Sequence, residues 1–316
     1  MVWIFITLLF ILGLNIGSFL DVIIYRCYLD KGKTLDSDIV HSSSKCPSCK
    51  HKLFWNDLIP LLSFLLLKGK CRYCKKKISS RSFCVEFFTG ILFGIYGWYL
   101  VGQSFIFNGE GLELIFNFVL IFYSLFVISC LVIILVVDLY KYIIPNKIVF
   151  SLIGIGFLIE PFFGFLEIKH GNINVNKFGI DIYWTIKLFY QRIFSQDFPV
   201  TYFHVTNISS FINPLVAAFL ISFLFILIVF FTKGKGMGMG DVKFVFFMGL
   251  FLGIDKIFLA VYLAFIMGAV ISLMLVINRK KILKQKIPFG PFLVLGFFVS
   301  WFFGERLILL ISQLVF

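Results

Sequence analysis

Charge is scarce in this chain. Asp, Glu, Lys and Arg make up only 14% of its 316 residues, against roughly 25% in an ordinary soluble domain, which excludes a water-soluble fold for most of the length. No basic residue precedes Arg26. The N-terminal apolar run therefore lacks the basic start of a cleaved signal peptide and reads as an uncleaved anchor with its N-terminus outside. There is no internal repeat and no low-complexity tract. The glycine-rich stretch "TKGKGMGMGDVKFVFF" (232–247) has Met239 and Asp241 where a G-x-G-x-x-G fingerprint fails, and no G-K-[ST] follows it. Nucleotide-phosphate binding is therefore excluded.

What is abundant is apolar side chain: 60% of residues are hydrophobic and 19% aromatic. Residues 2–20, 87–109, 114–137, 210–232 and 257–278 are charge-poor runs of about the 20 residues that cross a bilayer. Residues 143–159 read as a span closed by Glu160–Phe162, and 287–304 as another despite Pro288 and Pro291. The stretch 242–254 is too short alone and needs help from the residues before it. The expectation is an all-α polytopic membrane protein of about eight transmembrane helices. It divides into a first helix at 1–25, a polar insert at 26–82, and a membrane-embedded domain at 83–316 with an outer loop at 166–209. A stretch near 181–194 has the pattern of an amphipathic helix on the membrane surface.

The +13 net charge is explained by topology. With 26–82 inside and the spans alternating, 23 of the 29 Lys and Arg residues fall on the inner side, as the positive-inside rule requires. No nucleic-acid partner is expected; the partners are substrate and membrane lipid. The Lys-rich "CKKKISSR" (74–81) is an inner flank that can also attract acidic groups on a substrate or lipid.

Within the insert, "CPSC" (46–49) and "CRYC" (71–74) are two C-x-x-C knuckles. Each aims two thiolates at one point, and together they complete a tetrahedral four-sulfur site for structural zinc. Disulfides are the alternative, which a reducing cytoplasm disfavours. With Cys46, Cys49, Cys71 and Cys74 available, His41 and His51 are read as solvated. Cys27, Cys84 and Cys130 have no partner pattern and read as boundary or core residues.

Acids at the edge of a span are costly and mark candidate functional sites. Asp138 closes the apolar run 114–137 in "VVDLYKYIIPN", and Asp241 opens the run after the glycines. The proposed topology puts both at the inner end of their spans, with Asp21 and Glu86 near the same face. Two carboxylates in a poorly solvated site cannot both ionise easily, so the pair can hold one proton and one water. That is the chemistry of an aspartic protease. Without Cβ atoms, the chain before Asp241 can adopt φ > 0 and admit a substrate backbone.

These residues resemble the bacterial type IV prepilin peptidases, which are GxGD-type intramembrane aspartic proteases. The likeness rests on "GSFLDVIIYR" (17–26), the insert 46–86, "DLYKYIIPN" (138–146), "GMGDVK" (238–243) and "IPFGPFL" (287–293). Asp21 stands where that family commonly has Asn. The resemblance implies cleavage of the short basic leader of prepilins and pseudopilins on the cytoplasmic side of the bacterial inner membrane. It also implies methylation of the new N-terminus with S-adenosylmethionine. Asp138 and Asp241 are then the catalytic pair, with Gly238, Gly240 and Lys243 in the active-site loop. The four cysteines hold zinc, and Arg81 and Glu86 lie in a substrate or methyl-transfer region. The alternative is a non-catalytic zinc-binding scaffold or a transporter; transporters carry repeated halves, and none is found.

Overall fold

A computed structural model describes residues 2–29, 46, 48–54, 57, 59–102, 112–170, 205–234, 237–277 and 287–315. They form two compact units, Met1–Lys141 and Tyr142–Phe316, and each is described by itself. The described residues are helical, apart from turns and one isolated bridge between Lys70 and Lys77. Lipid offers no hydrogen bonds, so a spanning backbone must satisfy its own, which a helix does. Six of these helices are long and apolar enough to cross a membrane.

The first unit holds α1 (Val2–Ile23), continued by a π turn over Ile24–Leu29, the short α2 (Leu62–Leu66), α3 (Ser80–Gly102) and α4 (Leu112–Lys141). In lipid, helices gain little from burying apolar surface and associate where small residues let backbones close in. Gly13 and Gly17 of α1 do this against α3. A Cβ on Gly17 would lie 2.8 Å from the Glu86 Cα, and one on Gly13 2.9 Å from the Gly90 Cα. The expected second span, 87–109, is displaced: α3 begins seven residues earlier, at Ser80. It can carry Arg81 and Glu86 within its first two turns because both find partners there. Asp21 takes Arg81 and Ser82, and Glu86 takes a backbone N–H.

The second unit holds α5 (Asn146–His170), α6 (Val205–Phe231), α7 (Met239–Ile277) and α8 (Gly290–Val315). Helix α5 does not close at Glu160–Phe162 as expected but runs on to His170, since a proline inside a membrane helix is tolerated where the freed carbonyl finds other partners. Most of the outer loop expected at 166–209, with the amphipathic stretch 181–194, lies outside the described residues.

Helix α7 is the organising element, packing on α5, α6 and α8. Its 39 residues would measure about 58 Å unbroken, nearly twice the hydrocarbon thickness. Gly253, at φ 71 and ψ 179, breaks it in a region open essentially to glycine alone. The two arms, 239–252 and 254–277, correspond to the short and long segments expected there. With α5, they bring the apolar helical segments among the described residues to eight. The break is fastened from both sides. Asn213 Oδ1 of α6 accepts the Ile254 N–H at 2.9 Å, and Ser300 of α8 donates to the Lys256 carbonyl at 2.6 Å. Lys256 itself is buried and meets Glu305 of α8 at 2.9 Å. Along the same seam Phe247 stacks on Phe297, and Phe251 is tilted against Phe297 and edge-on to Trp301.

Candidate active site and metal centre

Asp241 occupies the third position of α7, and Gly238 is the residue before the helix. The two close on each other. The Gly238 N–H donates to Asp241 Oδ2 at 3.1 Å, and the Asp241 N–H donates to the Gly238 carbonyl at 3.2 Å. This is the reach-back half of a capping box, and it fixes the direction of the carboxylate. The left-handed backbone expected before it occurs at Gly234 and not at the two glycines beside Asp241. Gly238 and Gly240 have ordinary φ, Gly234 has φ 71, and Gly236 lies outside the described residues. Gly240 is required for closeness instead. Ile144 lies against it so tightly that a Cβ there would sit 3.2 Å from the Ile144 Cβ. The segment before α5 therefore folds onto the first turn of α7. Lys243 strengthens that contact: its Nζ donates to Asn146 Oδ1 at 3.1 Å and lies 5.1 Å over the Phe150 ring.

Asp138 lies in the last turn of α4, in the first unit, and is 4% exposed. It is one of the few buried acids of the described residues, Asp21 being another.

The four cysteines converge. All four Sγ atoms lie within 4.8 Å of one another, and Cys46 and Cys74 are 3.9 Å apart. Tetrahedral zinc with bonds of about 2.3 Å separates its sulfurs by about 3.8 Å, whereas a disulfide needs about 2.05 Å. The donor set therefore fits a four-thiolate metal. The two knuckles share one backbone design. The Cys46 N–H donates to the His51 carbonyl and the Lys50 N–H to the Cys46 carbonyl; the Cys71 N–H donates to Lys76 and the Lys75 N–H to Cys71. Lys50 and Lys75 are both left-handed, at φ 56 and 59. Burial raises the Cys46 thiol, but the backbone N–H groups of Cys49 and Ser48 outweigh it and bring it down to about 7 from 9.0. A thiol so placed gives up its proton readily to a metal.

Sequence reasoning missed the residue that ties the second knuckle down. Asp57, whose side chain is 4% exposed, forms a close ion pair with Arg72 Nε at 2.9 Å, without hydrogen-bond alignment. It also accepts from the Tyr73 hydroxyl at 3.2 Å and from the Phe54 N–H at 3.3 Å. Two of these partners, Arg72 and Tyr73, are the residues between the cysteines of "CRYC". Burial and the Asp57 charge raise the Tyr73 phenol, which keeps it a donor. His51 stacks on Tyr73, ring centres 3.8 Å apart, and His41 lies outside the described residues.

Arg81 and Glu86 are both engaged. Arg81 Nε and Nη2 donate to the two Asp21 oxygens at 2.7 and 3.3 Å, and its guanidinium lies over Tyr25. Ser82 adds a 2.6 Å bond to Asp21. Glu86 Oε2 accepts the Leu61 N–H at 2.9 Å and also bonds Ser18. These residues bind the insert and α3 to α1.

Residues 11–100 match the family described as "Bacterial Peptidase A24 N-terminal domain", and residues 125–273 match the "Type IV leader peptidase family". Several relatives carry the name "Prepilin leader peptidase/N-methyltransferase". One from Stutzerimonas stutzeri is 26% identical over 94% of this chain and 90% of its own length. One from Bacillus subtilis (strain 168) is 27% identical over 96% of each. One from Vibrio cholerae is 45% identical over 30% of this chain and 39% of its own. No solved structure matches.

Proposed function

Because this chain belongs to the type IV leader peptidase family, we propose that it is a multi-pass inner-membrane aspartic endopeptidase acting on prepilins, with Asp138 and Asp241 as its carboxylate pair. The observation that carries this is the setting of Asp241. It stands on the first turn of a buried helix, is aimed by its own reach-back bond, and is braced by Ile144 at Gly240. Both acids fall inside the stretch shared with the peptidase family.

The chemistry follows from two carboxylates and one proton. The ionised carboxylate takes a proton from water, whose oxygen attacks the scissile carbonyl. The protonated carboxyl donates to that carbonyl oxygen, giving a tetrahedral diol. As the diol collapses, the C–N bond breaks and the amine leaves with a proton from the pair. Lys243, Asn146 and Phe150 hold the loop around Asp241, and Gly238 shapes its entry. The substrate is the short basic leader of prepilins or pseudopilins, cut on the cytoplasmic side. The N-terminus of the enzyme lies outside, and the insert and both aspartates lie toward the cytoplasm.

Cys46, Cys49, Cys71 and Cys74 hold zinc, which supplies a structural cross-link and no open position for catalysis. The chain also methylates the new N-terminus. S-adenosylmethionine, when bound, would supply the methyl group: its S–C bond would break as the neutral amine forms the new N–C bond, leaving S-adenosylhomocysteine and releasing one proton. Arg81 and Glu86 serve that activity by fixing the insert on α1 and α3, since their polar atoms are already engaged.

Asp138→Asn and Asp241→Asn, each expressed with a candidate prepilin, should accumulate in the membrane yet leave the leader in place, read by gel mobility and N-terminal mass. Full cleavage by both variants would sink the assignment. An unmethylated N-terminus made by the unaltered enzyme would reject the methyl-transfer activity alone.

A further inference from the structure

The insert carries apolar surface on a face that water would leave bare. In α2, Leu62, Leu65 and Leu66 are 56%, 62% and 75% exposed. Their spacing of three and four puts them on one side of the helix. The other side is seated on α3. The Phe64 ring lies 5.2 Å from Phe83, and the Leu61 N–H reaches Glu86. Glu86 is six residues into the candidate span Ser80–Val101, about 9 Å along its axis. Thus α2 is pinned beside the first two turns of a candidate spanning helix. The surface next to it on α3 is lipid-like, with Phe87 exposed. Directly after α2, Gly69 turns at φ 67 over the Phe64 ring, between the exposed Lys68 and Lys70.

We propose that α2 is a membrane foot: Leu62, Leu65 and Leu66 sit in the boundary between acyl chains and headgroups, with Lys68 and Lys70 at anionic phospholipid phosphates. Amphipathic helices bind bilayers in this way, through buried apolar area assisted by basic residues. A second copy of the chain or a substrate helix fits less well, because the leucine face is continuous with the flank of a span and is edged by two cations. This seat requires only that Ser80–Val101 crosses the bilayer, and it stands apart from peptidase activity.

The full-length protein carrying Leu66→p-benzoylphenylalanine, in nanodiscs containing phosphatidylglycerol, is irradiated and its peptides are weighed. Phospholipid adducts on the α2 peptide are expected. Adding Lys68→Gln and Lys70→Gln should lower their yield about threefold in anionic bilayers and leave it unchanged in phosphatidylcholine. The same label at Leu62 repeats the test at a second exposed position, so misfolding at one site does not decide it. Adducts only to protein chains, or none from either position in protein that accumulates normally, overturn the proposal.

Discussion

The ion pair behind the break in α7 is lopsided, and its two halves should behave differently when removed. The Lys256 side chain is 2% exposed and that of Glu305 is 42% exposed, with 2.9 Å between them. Glu305→Gln leaves an ammonium in the interior without its counter-charge, and breaking a buried pair this way costs about 3–5 kcal/mol. The adjoining Asp255 also attracts Lys256, so the lower end is expected. Lys256→Met does the reverse: it removes the buried charge, keeps the apolar stem, and leaves Glu305 able to turn to water. That loss resembles a surface pair, about 1 kcal/mol or less. The gap of about 2 kcal/mol corresponds to roughly 4–8 °C in the melting midpoint of a unit this size. Thermal unfolding of detergent-purified protein measures it. The double variant should recover most of what Glu305→Gln loses. Equal costs for the two single variants, or a double variant no better than Glu305→Gln, would refute the claim that buried charge, rather than packing, governs this seam.

Two further outcomes are expected. Gly240→Ala should cut leader cleavage about tenfold, the kinetic equivalent of about 1.4 kcal/mol, because Ile144 must move; Gly238→Ala, whose Cβ meets nothing closer than 3.7 Å, should retain activity within about twofold. Comparable losses at both glycines would remove the Ile144 contact as the reason. Asp57→Ala should weaken zinc retention about ten- to hundredfold in competition with a chromophoric chelator, the usual cost of losing an outer partner of a metal site, and an unchanged affinity would count against its pinning role.

Hydropathy carried the helical segments because membrane spans are set by length and apolar content, which are local properties. Even the weak stretch 242–254 was legible as a short arm needing support. What stayed hidden depends on pairing across long separations. The start of α3 was misplaced because Arg81 looks like part of the polar insert until Asp21, sixty positions away, accepts from its guanidinium and the Leu61 N–H donates to Glu86. Lys256 falls between two expected spans, and nothing local announces that Glu305, beyond the expected end of the last span, will neutralise it. The cysteine spacing revealed the four thiols that converge, since two knuckles encode their own geometry. Asp57 left only a faint trace, an acid between the knuckles with Arg72 in the second one.

The twin hydrogen-bond pattern of the knuckles bears on how the protein would keep a metal. Many small zinc modules collapse without the ion, because binding energy is their folding energy. Here each knuckle closes its own turn through backbone bonds, and Asp57 and His51 brace the second independently of the thiolates. Departure of the ion should therefore open one jaw at a time and leave both turns formed. A metal held there would be lost first through the looser jaw, at exposed Cys49.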